Sequence, residues 1–137
     1  MKRLLFFMII ALFVTACGGA EPVEEVSTDP TIQLLRPSDG ATVKSPVSFS
    51  MSAVNYTIEE AGDVNEGAGH FHIIVDHGCV TPGEIVPATE GYNHYGKAQF
   101  QAELELEPGD YDICLQVGDG AHAATNITYE ISITVEE

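Results

Sequence analysis

Positive charge is scarce in this chain. Five lysine and arginine residues stand against 21 aspartate and glutamate, a formal charge of −16 over 137 residues. A surface of this sign repels phosphate backbones and anionic headgroups, which argues against nucleic-acid binding and polybasic membrane contact. Long apolar runs are lacking too. The longest, Leu4 to Val14, is shorter than the roughly 20 apolar residues that cross a bilayer. Beyond it no stretch has the spacing of a long amphipathic helix, so an α-helical domain is not expected. Signatures of several chemistries are missing as well. No serine stands in a nucleophile-elbow context, no glycine-rich phosphate loop carries its lysine, and the EF-hand spacing does not occur. Paired carboxylates occur only in runs such as Glu59-Glu60 and Glu103, Glu105, Glu107, which read as solvated faces. An enzyme is therefore the less favoured class.

The short apolar run has a different use. Lys2 and Arg3 precede it, and Val14-Thr15-Ala16-Cys17-Gly18 follows it. That order resembles the lipobox of bacterial lipoproteins, in which the cysteine is lipidated after cleavage. The expectation is a signal peptide over 1–16, a lipid anchor on Cys17, and a place in the cell envelope. Gly18 rather than aspartate after the cysteine implies outer-membrane sorting, with the protein facing the periplasm. Cleavage would remove two of the five basic residues, leaving three against 21 acidic ones and a formal charge of −18. Residues 17–30 are acidic and proline-containing without an apolar face, which describes a flexible tether. Residues 31–137 then form one domain by length.

Cysteine is the next scarce residue, with three in the chain. Once Cys17 is assigned to lipid, Cys79 and Cys114 remain. In an oxidising compartment such a pair is expected as a disulfide, with a soft-metal role for Cys79 the lesser alternative.

The domain reads as short strands. Val47, Phe49, Met51 and Ala53 alternate with serines, and Phe71, Ile73 and Val75 form an inward set. Phe100, Ala102, Leu104 and Leu106 form another, ended by the turn at Pro108-Gly109. Tyr111, Ile113, Leu115 and Val117 return along the core, with Cys114 pointing away from it. Ile127, Tyr129, Ile131, Ile133 and Val135 form the last inward row. About seven such strands predict an all-β fold, an antiparallel sandwich of immunoglobulin-like kind, with a barrel as the competing architecture.

Against these shortages, histidine is concentrated. All five histidines lie between residues 70 and 122, four of them in glycine-punctuated clusters. His70 and His72, two apart on a predicted strand, present their imidazoles on one face. His94 lies in Gly91-Tyr92-Asn93-His94-Tyr95-Gly96 and His122 in Gly118-Asp119-Gly120-Ala121-His122, both placed in loops. Imidazole nitrogen suits copper, zinc, nickel and iron. The ligand set expected here is His70, His72 and His94, with His122 as a fourth, and Asp119 and Asp76 as acceptors for imidazole N–H groups. Copper or zinc is the expected ion. His77 lies past the strand end and reads as a surface residue. Tyr92 and Tyr95 either wall the site or pack over the sandwich end, and Lys97 either holds an anion or is a plain surface lysine. The rival reading takes the histidines as a polar loop cluster on an accessory domain that binds a protein or cell-wall partner. A small metalloenzyme is a third.

The segments Gly69-His70-Phe71-His72-Ile73-Ile74-Val75-Asp76, His94-Tyr95-Gly96-Lys97-Ala98-Gln99 and Gly118-Asp119-Gly120-Ala121-His122 resemble, in order and spacing, those of the DUF4399 domain family of exported bacterial proteins. The resemblance covers roughly residues 65–135. It implies shared histidine positions rather than an activity, because the family is named for lacking one. Phe71 replaces a middle histidine of the family, and Thr125 stands where members often have another.

Overall fold

A computed structural model describes residues 27–137; the expected signal segment, Cys17 and most of the expected tether lie outside the described residues. Among the described residues nine strands follow in chain order: β1 (Thr31–Arg36), β2 (Ala41–Lys44), β3 (Val47–Val54), β4 (Thr57–Ile58), β5 (Ala68–Val75), β6 (Tyr92–Tyr95), β7 (Gln101–Leu104), β8 (Gly109–Gly118) and β9 (Ala124–Glu136). They form two sheets. One is three-stranded in the order β1-β3-β7; the other is six-stranded, β2-β9-β8-β5-β4 with β6 also on β5.

The alternating rows make the core. Ile32, Leu34, Val47, Phe49 and Met51 of the small sheet meet Phe71, Ile73, Val75, Ile113, Leu115, Val117, Ile131, Ile133 and Val135 of the large one in a single cluster. Period-two alternation turns one face of each strand inward, and burying that face is the main favourable term for the fold. Phe100 departs from its predicted row. It precedes β7, its ring is 45% exposed, and it lies edge-on to Phe71.

The all-β expectation holds, but the count of about seven strands and the wholly antiparallel arrangement are corrected. Short β2 runs parallel to β9, and β4 runs parallel to the start of β5. Both are short edge pieces whose backbone finds partners at the rim of the large sheet.

β5 departs furthest from one-sided burial, since all eight of its residues are buried, and the last six residues of β8 are buried as well. Phe71, Ile73 and Val75 face the core. His70, His72 and Ile74, on the reverse face, are as deeply buried, at 0, 2 and 0% exposure. The cover comes from the long connection after β5. Its residues are joined to β8 by the Cys79–Cys114 disulfide, which closes a separation of 35 residues. Gln116 reinforces the closure: its side chain accepts from Val80 N–H and donates to the carbonyls of Val80 and Thr125. Further along, Gly83 N–H donates to Ala124 O, Ala124 N–H to Glu84 O, and Val86 N–H to His122 O. A third layer is thereby laid over the reverse face of the sheet.

Candidate metal centre

Four histidines from three separate parts of the chain converge at one end of β5. His70 and His72 project from the same face of that strand. β6 pairs with β5 so that His94 stands directly opposite His72. His94 is thus on a strand, not in the loop predicted for it. β8 ends opposite His70 at Gly118, and the following turn brings back His122. His122 has a φ of 69°, a left-handed conformation unusual for a side chain with a Cβ. Its N–H donates to Asp119 O and its carbonyl accepts from Val86 N–H, which holds it there.

Glycine makes room for the rings. A Cβ at Gly118 would lie 2.8 Å from His72 Nε2, and one at Gly96 would lie 2.4 Å from His94 Nε2. At Gly120 the obstacle would be Asp63 O, at 1.9 Å. Here segment 59–67 braces the site: Ala61 N–H donates to Gly96 O and Gly62 N–H to Gly120 O, tying together the two stretches that carry His94 and His122.

The imidazole nitrogens gather in two close pairs. His70 Nε2 and His72 Nε2 are 3.1 Å apart, and His94 Nε2 and His122 Nε2 are 3.2 Å apart. Donor nitrogens of His70, His94 and His122 all fall within 4.8 Å of one another, a group that does not include the expected ligand His72. His94 is exposed and His122 half-buried, so the inner pair is enclosed and the outer pair faces solvent.

Inside, the inner pair lacks full hydrogen bonding. If one Nε2–H donates to the other Nε2, the accepting ring must carry its proton on Nδ1. Both Nδ1 atoms are buried without a partner. A buried donor left unpaired costs about 1–3 kcal/mol, so these polar rings are poor core material. Burial, and then the neighbouring His94 and His122, hold the His70 pKa down to about 4, with Asp119 opposing. Burial and then His70, His94 and His122 hold His72 down to about 3. His94 is lowered by burial and by His122. These three rings are therefore neutral at neutral pH, the form in which imidazole ligates metals.

The remaining sequence-predicted residues fall elsewhere. Asp119 does not accept from an imidazole. Its Oδ1 accepts from Ala121 N–H and Ala123 N–H, which shapes the turn that presents His122. Asp76, also expected as an acceptor for imidazole, sits past the far end of β5 with φ 59° and accepts from Asp112 N–H. His77 stacks on Tyr92, with ring centroids 4.9 Å apart and an 8° tilt. Tyr95 packs against the core, and burial pushes its hydroxyl up to about 12. Lys97 is exposed and pairs through its backbone with Glu60. Sequence reasoning assigned no part of their own to Gly96, Gly118 or Gln116. Their proximity to His94 and Cys114 in the chain was the available signal.

A second group, Cys79, Cys114 and Glu130, also brings metal-compatible atoms within 4.8 Å. Its sulfurs are joined to each other at 2.06 Å, so only the reduced form would offer thiolates.

The family described as "Domain of unknown function (DUF4399)" matches residues 47–136, which contain all four converging histidines. No curated protein matches the chain. Among solved structures, the endo-beta-1,4-mannanase from Thermotoga petrophila aligns over 83% of this chain at 15% identity and a TM-score of 0.47. This chain spans 21% of that one. Fibronectin(III)-like modules of CbhA from Clostridium thermocellum align over 77% of this chain and 97% of theirs, at 16% identity and a TM-score of 0.45.

Proposed function

The chain belongs to the DUF4399 family, whose description assigns no activity, and from its own residues we propose that it is a lipid-anchored envelope protein holding one transition-metal ion. His70, His72, His94 and His122 supply the ligands, and copper or zinc is the ion. Carriage or storage is the role. The observation that carries this reading is the convergence of four imidazoles, two of them buried without complete hydrogen bonding. A merely polar surface cluster would leave such rings in water, where solvation is cheap. Anchoring through Cys17 and residence at the outer membrane facing the periplasm belong to the same proposal, resting on the lipobox-like segment.

Equilibrium dialysis of the processed chain in detergent against copper, zinc and nickel, with elemental analysis, tests the ion. One tight equivalent is expected, lost in His70→Ala and in His72→Ala. Uptake unchanged in both variants would refute the site. Incorporation of labelled fatty acid, abolished by Cys17→Ala, tests the anchor separately.

A further inference from the structure

Away from the histidines, a carboxylate stands against a sulfur that has nothing to give it. Glu130 Oε1 lies 2.9 Å from Cys79 Sγ, yet that sulfur is bonded to Cys114 and carries no proton. A thiol proton or a bound cation would match the carboxylate there; a disulfide does not. Strand register produces the arrangement. Cys114 and Glu130 are direct partners across the β8–β9 ladder, so their side chains share the face turned from the core. The connection after β5 delivers Cys79 onto that face. Cys114 is buried, Cys79 half-buried and Glu130 exposed, and a cavity of about 280 Å³ lies beside Cys114 and Glu130. Asp76 and Asp112 line the same cavity but already accept from Asp112 N–H and Ser132 Oγ.

We propose that reduction converts this disulfide into a second metal site, in which the Cys79 and Cys114 thiolates and the Glu130 carboxylate hold Zn(II). A dithiol supplies the two electrons. One of its thiolates attacks Cys79 Sγ, the more accessible sulfur, and Cys114 leaves; its second thiol then closes the dithiol's own disulfide and frees Cys79. The two cysteines take up the two protons, and Zn(II) displaces these to solvent on binding. Thiolates select against hard ions, while the carboxylate suits borderline Zn(II) better than Cu(I), which prefers soft donors throughout. The three donor atoms already lie within 4.8 Å of one another. Sulfurs on one zinc stand about 3.8 Å apart, a spacing that side-chain rotation supplies between Cα atoms 5.5 Å apart. A sulfur–zinc–sulfur bridge would keep the connection on β8 after the covalent bond is gone. With it would stay the bond from Val86 N–H to His122 O. This site shares no ligand with the histidine centre and does not depend on it.

Co(II) in place of Zn(II) supplies the test on the full processed chain in detergent, because its thiolate charge-transfer band in the near ultraviolet is not produced by imidazole. The disulfide is opened with a phosphine, which becomes the phosphine oxide by taking oxygen from water. The expected result is no band before reduction and one equivalent after it, displaced by Zn(II) and abolished in Cys114→Ser. Glu130→Gln should keep the band but bind about tenfold more weakly. Zn(II) should also raise the melting temperature of the reduced native chain further than that of a Cys79→Ser, Cys114→Ser variant, whose histidines are unchanged. Two titratable thiols with no band at saturating Co(II) would overturn the site, and undiminished affinity in Glu130→Gln would overturn the carboxylate's part. If reduction alone unfolds the chain, Zn(II) should refold it; failure to do so counts against the bridge. Ion uptake by the oxidised chain, which has no thiolate, reports on the histidine centre separately.

Discussion

His72 and His94 stand directly across the β5–β6 ladder from each other, with ring centroids 5.2 Å apart. Register alone therefore sets their spacing, because a one-residue slip would send either ring to the opposite face of the sheet. The outer member of the pair depends on its glycine neighbour. Gly96→Ala should leave the fold intact, since the exposed His94 ring can swing away, yet lower metal affinity by about tenfold or more. Thermal melts with dialysis on the same variant check both halves. Gly69→Ala, whose Cβ would strike Gly118 O at 2.2 Å, should instead destabilise the fold by about 1–3 kcal/mol.

Acid should weaken the metal-free fold through the inner rings. Their folded pKa values, about 4 for His70 and about 3 for His72, lie below the unfolded value of 6.5. Between those limits the unfolded chain binds protons that the folded chain refuses, so the contribution is present above pH 6.5 and is lost as pH falls toward 4 and 3. The slope is at most about 1.4 kcal/mol per pH unit for each ring. Urea midpoints from pH 7.5 down to 4.5 should fall more steeply for the native chain than for a His70→Gln, His72→Gln double variant. Equal slopes would count against the buried neutral assignment.

Removing the disulfide by Cys79→Ser with Cys114→Ser should cost about 3–4 kcal/mol for a loop of 35 residues. The loss should extend to the site, because the stapled connection also bonds His122 O through Val86 N–H. Zinc dissociation measured under conditions where the variant remains folded should be faster than in the native chain.

Gln116→Ala should be among the most damaging single changes outside the histidines. It strips partners from Val80 N–H and from two carbonyls at a position with 0% exposure, for an expected loss of about 2–3 kcal/mol. Hydrogen exchange at the Val80 amide should accelerate together with the fall in the urea midpoint.

Much of this architecture was legible in the sequence. The rows Val47–Phe49–Met51 and Ile131–Ile133–Val135 announce their strands because period two is visible wherever one face meets solvent. Cys114 also follows from that rule, pointing away from the core row and meeting Cys79. Tyr92–Tyr95 was not readable as a strand, since glycines and an asparagine around His94 signal a turn when its long-range pairing is unseen. Parallel β2 and β4 are too short to show a pattern. The histidines could be grouped from their neighbouring glycines, but their depth could not. The layer over them is an irregular connection held by Gln116, a disulfide and backbone hydrogen bonds, none of which leaves a periodic trace.

If the proposed ion is bound, the brace between His122 and the stapled connection, together with the seating of His70 and His72 on a strand enclosed from both sides, would make occupancy and foldedness one equilibrium. Donors scattered from position 70 to 122 have no common centre once the chain opens. An ion at 100 times its dissociation constant would thus deepen the native well by about 2.7 kcal/mol. Starved of it, the same chain would spend more time open to proteases, so its cellular abundance would follow the supply of the proposed ion.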